Sequence, residues 1–243
     1  MSFRSAENNP PEEAAVKPAS NIKSYVLRAG RVTAAQRRSY DSLSGQFIIP
    51  FNNEPLNFAE IFNNNNPVFV EIGFGMGEAT ALIAAAQADK NYLGIEVYRA
   101  GIGRLLWFIE QKALSNIRII EHDAAEVIEK MIPPNSIDGL HLFFPDPWPK
   151  KRHHKRRLVK KPFTDIVAEK LKPAGYIYMV TDWKDYAEWA LAELSATKAL
   201  HNSHGGFAPP QEWRPRTSFE HKGIAKNHRV NELLFTKKGG ILI

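Results

Sequence analysis

The sequence contains no cysteine, which excludes disulfide bonds, thiolate-ligated metal sites and a cysteine nucleophile. It also has no apolar run long enough to cross a bilayer. Residues 1–20 contain no apolar stretch of the kind found in signal peptides or membrane anchors. We therefore expect a cytoplasmic protein with no membrane association, whose residues 1–24 form a disordered tail.

Basic charge is concentrated in two segments. Residues 150–161 read KKRHHKRRLVKK and carry eight Lys or Arg without an acid; removing them from the net charge of +6 leaves the rest at −2. Residues 14–40 also lack an acid and carry Lys17, Lys23, Arg28, Arg31, Arg37 and Arg38. Soluble surfaces usually mix both signs, so these runs favour a polyanionic partner, with nucleic acid ahead of membrane lipid. A merely solvated charged loop is the alternative.

Apolar strands alternate with helical segments from residue 68 onward. Strands are predicted at 68–72, 92–97, 117–120, 137–144, 176–181 and 230–236, and helices at 78–88, 99–114, 124–131, 162–171 and 183–195. Such strand–helix repeats predict an α/β fold with a mostly parallel sheet covered by helices on both faces. In such sheets, ligands bind beyond the carboxyl ends of the strands.

The first predicted strand runs into a glycine-rich turn that reads Glu71-Ile-Gly73-Phe-Gly75-Met-Gly77. Glycines allow a sharp turn and the close approach of a ligand to the backbone. A dinucleotide fingerprint needs Gly or Ala at position 78, where this chain has Glu78, so a nicotinamide-dependent oxidoreductase is disfavoured. The spacing resembles the turn of class I methyltransferases, whose cofactor has no phosphate. A glycine turn without a ligand is the alternative.

Four consecutive predicted strands are associated with a carboxylate near the carboxyl end: Glu71, Glu96, Asp123 and Asp146. An acid after the second strand suits ribose hydroxyls, and one after the third suits an adenine amino group. A single strand-end Asp is more often the N-cap of the next helix. Four acids in register instead favour an acidic cofactor pocket.

The fourth strand leads into a proline-rich loop, Phe143-Phe-Pro-Asp146-Pro-Trp148-Pro-Lys150. Trp148 offers an aromatic face for stacking a base, with burial in the core as the alternative. Methyltransferases acting on exocyclic amines show Asp/Asn-Pro-Pro-aromatic at this place, so the order found here disfavours that reaction. His153 and His154 are surrounded by cations and no cysteine is available, so no metal is expected.

At this point the sequence resembles the bacterial tRNA (guanine-N7-)-methyltransferase family. The matching segments are YVLRAGRVTAAQ at 25–36, VEIGFGMGE at 70–78, GIEVYRAGIG at 94–103, FFPDPWPKKRHHKRR at 143–157, TDW at 181–183 and TSFEHKGIAKNHRVNELLF at 217–235. The segment 143–157 is highly specific, whereas the glycine turn is shared by many methyltransferases. The resemblance implies a Rossmann-like class I methyltransferase fold with an antiparallel C-terminal strand, as a single domain over 25–243 with a basic N-terminal arm.

The resemblance also implies roles for individual residues. The cofactor S-adenosyl-L-methionine, converted to S-adenosyl-L-homocysteine, would be bound by Glu71, Gly73, Gly75, Gly77, Glu96, Asp123 and Asp146, and Asp146 would also be the catalytic residue, as the acidic side chain of the active site. Substrate contacts would come from Lys150, Asp182, Thr217, Ser218, Phe219 and Glu220. The RNA would be held by Arg152, His153, His154, Lys155, Arg156 and Arg157. The expected target is the guanine at position 46 of the tRNA variable loop, and the expected enzyme is a monomer.

The sequence is also compatible with two other functions. A non-catalytic RNA-binding protein on a methyltransferase scaffold would bind RNA without the cofactor, and the complete row of carboxylates argues against it. An enzyme of the same class acting on another RNA, for example rRNA, is disfavoured only by the match around Asp146.

Overall fold

The computed structural model describes residues 22–26, 32–216, 220 and 229–239. Most of the predicted tail, together with Arg28, Arg31, Thr217, Ser218 and Phe219, lies outside these residues. The strands are β1 Val68–Ile72, β2 Asn91–Glu96, β3 Ile117–Glu121, β4 Ile137–Phe143, β5 Leu171–Thr181, β6 Leu200–His201 and β7 Asn231–Lys237. The helices are α1 Ala34–Phe47, α2 Phe58–Phe62, α3 Glu78–Ala86, α4 Arg99–Gln111, α5 Ala124–Lys130, α6 Phe163–Lys170 and α7 Lys184–Ser195, with a 3₁₀ helix at Lys151–Arg156.

The strands form one sheet in the order β3-β2-β1-β4-β5-β7-β6. Strands β1 to β5 pair in parallel, and β7 pairs antiparallel with both β5 and β6. The predicted α/β class, with its antiparallel C-terminal strand, is therefore confirmed. Strand order reverses between β1 and β4, and a crevice at such a switch point is where ligands bind in open α/β sheets.

Both faces of the sheet are covered, which explains the apolar runs in its central strands. On β1, Val68, Val70 and Ile72 pack in a core with α5, α6 and α7, whereas Phe69 packs with α1, α3 and α4 on the other face. All five residues of β1 are buried. A parallel strand buried on both faces reads as a continuous apolar run, as observed here.

The structure corrects two parts of the sequence-based element assignment. Helices α1 and α2, the 3₁₀ helix and the short strand β6 were not predicted. Strand β5 begins at Leu171 rather than at residue 176, because Leu171 pairs with Ile137 before a register shift, after which Tyr176 pairs with Gly139. The Pro173-Ala-Gly175 segment lies within this irregularity, where Ala174 has a positive φ of 64°.

Candidate active site

Three glycines shape the turn after β1. Gly73, Gly75 and Gly77 all have positive φ angles, of 73°, 57° and 72°, which L side chains rarely adopt. A Cβ added to Gly73 or Gly75 would meet nothing within 4 Å, so the chain leaves open space beside both residues. A Cβ on Gly101 in α4 would lie 1.9 Å from the carbonyl oxygen of Gly75, so this small residue lets α4 pack directly against the turn.

The carboxylate of Glu96, the last residue of β2, holds this turn in place. Its Oε2 accepts a hydrogen bond from the Gly75 amide at 2.8 Å. Its Oε1 accepts from the amides of Val97 at 2.7 Å and Tyr98 at 3.0 Å. Glu96 therefore ties the ends of β1 and β2 together, in addition to its expected position beside a ribose.

Glu71 is the deepest carboxylate of the site, with only 3% of its surface exposed. Burial raises the pKa of Glu71 to about 7; the Thr80 hydroxyl opposes this shift and the negative charge of Glu96 adds to it. Residue 71 alternates with Val70 and Ile72 along β1, which places it on the face that carries α3 and α4. A buried carboxylate at this position favours a cationic neighbour.

Asp123 is both a helix cap and a member of the acidic edge. Its Oδ1 accepts a hydrogen bond from the Ala125 amide at 2.9 Å and so caps α5. Asp123 therefore does act as a helix N-cap, which is the alternative role for an Asp at the end of a strand. Since β3 is parallel to β2, this residue also lies at the same edge of the sheet as Glu96.

The loop that carries Asp146 adopts an unusual backbone. Phe144 and Trp148, on either side of the half-buried Asp146, have positive φ angles of 53° and 47°. Side chains other than glycine adopt this region at an energetic cost, and such residues cluster at functional sites. The Phe144 amide donates to the Val180 carbonyl at 2.8 Å, which fastens the start of the loop to β5.

Trp148 lies under the 3₁₀ helix and next to a piece of the N-terminal arm. The guanidinium of Arg156 stacks over its ring at 4.0 Å, and the indole Nε1 donates to the Ser24 carbonyl at 2.9 Å. Arg156 also donates to the carbonyls of Lys23, at 3.0 Å, and Tyr25, at 2.6 Å. The segment 22–26 is thereby fastened to the Asp146 loop, and one face of Trp148 is covered by a cation rather than by core residues.

Residues of the basic 3₁₀ helix differ in exposure. Lys150, Lys151, Arg152 and Lys155 are exposed, whereas His153 and His154 are half-buried. Desolvation, assisted by the charges of Arg152 and Lys150, lowers the pKa of His153 below its ordinary value. Arg157, expected among the RNA contacts, is instead buried, with 1% of its surface exposed.

At the end of β5, a buried ionic cluster borders the remaining site residues. Arg214 donates to Glu220 through two bonds of 2.6 and 2.9 Å and to Glu232 at 3.0 Å. Its Nε donates to the Tyr178 hydroxyl at 3.2 Å, and that hydroxyl donates to Glu232. Glu232 pairs with Val180, two residues before Asp182, so the cluster adjoins the edge where Asp182 lies. Glu220 is therefore a partner of Arg214, a contact that sequence reasoning did not foresee.

Two structural findings concern membranes and metals. Across the described ranges, no helix is both long and apolar enough to span a bilayer. Within the same residues, no group of three or more His, Asp or Glu side chains is arranged to hold a metal ion.

The sheet order and the glycine turn are those of the class I methyltransferase fold, and the comparisons with known proteins show that the chain is a methyltransferase. A family model described as "Putative methyltransferase" matches residues 65–233. Two solved methyltransferases share the fold at low identity: the antibiotic-resistance methyltransferase Kmr, with a TM-score of 0.51 and 13% identity over 75% of this chain and 92% of that one, and the 16S rRNA methyltransferase KamB, with a TM-score of 0.51 and 14% identity over 87% and 96%.

Curated proteins of similar sequence identify the methyltransferase family more closely. The tRNA (guanine-N(7)-)-methyltransferase of Nitrosospira multiformis is 49% identical, with 92% of this chain and 97% of the relative covered. The enzyme of the same name from Paraburkholderia xenovorans is 47% identical, with 96% and 89% covered. The chain belongs to the tRNA (guanine-N(7)-)-methyltransferase family, and the expected family is confirmed.

Proposed function

We propose that this chain transfers a methyl group from S-adenosyl-L-methionine to N7 of the guanine at position 46 in the variable loop of tRNA. The observation that carries the proposal is that an acidic edge and a basic surface adjoin at the loop that contains Asp146. The glycine turn follows β1, which pairs with β4, the strand that leads to Asp146, and the run with exposed Lys150, Arg152 and Lys155 begins four residues after Asp146. A cationic cofactor and a polyanionic substrate would thus meet at Asp146.

The residues present fit the cofactor. The open space beside Gly73 and Gly75 admits a ligand close to the backbone, Glu96 and Asp123 would accept from ribose and adenine groups, and Glu71 would face the cationic end. When bound, S-adenosyl-L-methionine supplies a methyl group activated by a sulfonium and leaves as S-adenosyl-L-homocysteine. The chain's own contribution is to orient that group, and alignment alone lowers barriers by roughly 7–11 kcal/mol in well-oriented systems.

The guanine would need orientation rather than a general base. Its N7 has a free lone pair, so no proton must leave before the transfer, and the product ring is cationic. Asp182 would accept from the N1–H and N2 edge and stabilise the new charge. Glu220, whose carboxylate accepts hydrogen bonds from Arg214, is the other candidate for this role. The absence of cysteine argues against methylation of pyrimidine C5 through a covalent adduct.

The RNA would be held mainly through its phosphates. Lys150, Arg152 and Lys155 extend from the loop that contains Asp146, and such contacts position a nucleic acid without reading its sequence. N7 lies in the deep major groove of A-form RNA, so the base would be extruded to reach the site. We further propose that residues 25–243 act as one domain, in a monomeric cytoplasmic enzyme.

The experiment that tests this function combines labelled S-adenosyl-L-methionine with unmodified tRNA transcripts. We expect label at one nucleoside, N7-methylguanosine, mapped to position 46. A transcript with 7-deazaguanosine at that position lacks the acceptor nitrogen and should remain unlabelled. Label on rRNA instead of tRNA, or on another atom or position of tRNA, would contradict the proposal.

Replacement of Asp146 tests whether this residue is catalytic. Asp146→Asn keeps the shape of the side chain, and Asp146→Ala removes it; both should abolish methyl transfer while the thermal unfolding midpoint stays close to that of the parent. Near-normal turnover by either variant at saturating cofactor and tRNA would remove Asp146 from the catalytic site.

A further inference from the structure

Arg157 is the one cation of the Lys150–Arg157 run that is fully buried. It follows the 3₁₀ helix directly, and its exposed fraction is 1%. Burying a charged guanidinium costs several kcal/mol unless it is paired and hydrogen-bonded. Such a side chain is poorly suited to a phosphate contact, because the RNA would have to reach through the protein surface.

The partners of Arg157 come from the Asp146 loop and from helix α7. Its Nε donates to the Pro147 carbonyl at 3.0 Å, and its Nη2 donates to the Asp185 carboxylate. Its guanidinium lies over the rings of Tyr186, at 5.2 Å, and Trp189, at 5.1 Å, both in α7. The hydrogen bond from Arg157 lowers the pKa of Asp185 below its ordinary value, which favours the charged form of this carboxylate.

These partners stand next to the two acids of the proposed mechanism. Pro147 follows Asp146 directly, and Asp185 lies three residues after Asp182, in the first turn of α7. Pro145, Pro147 and Pro149 have no amide N–H, so the loop has few donors with which to fix itself. A side-chain donor aimed at one of its carbonyls supplies what the loop lacks.

We propose that Arg157 is a positioning residue that holds the Asp146 loop at a fixed place relative to the start of α7 and thus to Asp182. The inference rests on the proposed function, because it assigns the purpose of that geometry to methyl transfer. The two-sided contact needs the planar fork of a guanidinium, which offers separate donors to Pro147 and Asp185 while stacking on two rings. A lysine ammonium has the charge but not this fork.

Kinetics of variants separate positioning from RNA contact. In Arg157→Lys and Arg157→Gln we expect kcat to fall about 10- to 100-fold, the scale expected when reacting groups shift by about 1 Å. The KM for tRNA, its dissociation constant and the salt dependence of binding should stay at parent values. Asp185→Asn, at an exposed residue that the fold tolerates more readily, should give a smaller loss of kcat in the same direction. Arg152→Gln is the matched control and should instead weaken tRNA binding and its salt dependence.

Hydrogen exchange provides a readout that does not depend on activity. Amides of Asp146 and Trp148 should exchange faster in Arg157→Gln than in the parent, at a temperature where thermal unfolding shows both proteins folded. Parent-like kcat or parent-like exchange in that variant would overturn the inference, as would a loss of tRNA affinity like that of Arg152→Gln. If the parent itself fails to methylate tRNA, the proposed function fails, and the exchange result still decides whether Arg157 fixes the loop. Should Arg157→Gln not fold, Arg157→Lys and Asp185→Asn carry the same comparison.

Discussion

At the residue scale, Glu71 combines a cost to stability with a use in binding. Its folded-state pKa, about 7, is raised above the ordinary value of 4.5 by burial. For a group raised in this way, stability is present at low pH and is lost as the pH rises through the folded-state pKa. Above pH 7 the ionised form therefore destabilises the fold, and a cationic ligand offsets that cost.

Glu71→Gln should separate these two effects. At pH 8 the variant should be more stable than the parent, by up to about 3 kcal/mol for a shift of this size, and the gain should vanish below pH 4.5. Cofactor affinity should be lower in the variant and independent of pH. In the parent it should weaken by up to about tenfold per pH unit below pH 7. Urea unfolding and cofactor titration at pH 5 and 8 measure both; a parent affinity that is flat with pH would contradict this role of Glu71.

Glu96 makes a different prediction because its carboxylate already binds the turn. Glu96→Ala removes three amide contacts in addition to the proposed ribose contact. Hydrogen bonds to a charged group contribute about 1.5–3 kcal/mol, so cofactor binding should weaken by roughly 10- to 100-fold while tRNA binding changes little. Glu96→Gln, which retains acceptor capacity in one oxygen only, should give an intermediate value. An unchanged cofactor dissociation constant in the Ala variant would show that the ribose lies elsewhere.

At the element scale, sequence periodicity predicted the alternating strands and helices but not α1. The strands of the parallel sheet are apolar runs and α4 has an apolar face, so their patterns are visible. Helix α1 buries Gln36, Ser39 and Phe47, two of them polar. It packs against α4 so closely that a Cβ on Gly103 would lie 2.5 Å from the Gln36 carbonyl oxygen. Its apolar face consists of Tyr40, Leu43 and Phe47, of which only Phe47 is fully buried, so the amphipathic pattern is weak.

The cluster of Arg214 with Glu220 and Glu232 gives a prediction for stability. Arg214→Ala would leave two carboxylates buried without their cation, and removing one partner of a buried ion pair typically destabilises by about 3–5 kcal/mol. Since the unpaired carboxyls would have raised pKa values, the deficit should be larger at pH 8 than at pH 5. Urea unfolding at the two pH values measures this. Arg216→Ala, at an exposed position nearby, is the control and should be close to neutral. A deficit that does not grow with pH would contradict the account.

At the scale of the whole molecule, the position of the carboxylates at one edge of the sheet could be predicted from the topology. The burial and the long-range contacts of individual side chains could not. Parallel strands bring their carboxyl ends together, so the acids of four strands could be assigned to one edge from their spacing alone. The burial of Arg157 could not be read from a run of basic letters, because neighbours in a short 3₁₀ helix differ only in the direction of their side chains. The arm contacts of Arg156 and the Arg214 cluster join residues distant in sequence, which a local pattern does not contain.

The distribution of charge between the two edges of the sheet gives the last prediction. Replacing Lys150, Lys151, Arg152 and Lys155 together by Ala removes four exposed cations beside Asp146. Each lost phosphate contact should reduce the log–log salt slope of tRNA binding by about 0.7–0.9, so the slope should fall by up to roughly 3 units while cofactor affinity stays near the parent value. The matched control removes the same charge from the opposite edge of the sheet, by replacing Lys112, Lys130, Lys198 and Lys238 with Ala. Lys130 is the last residue of α5, and the other three lie just after α4, α7 and β7, respectively. This control should leave the salt slope of tRNA binding nearly unchanged, because it lowers the net charge by the same amount but removes no phosphate contact. Equal losses in both variants would mean that tRNA responds to net charge alone, and parent-like binding in the first would mean that the loop is only solvated charge.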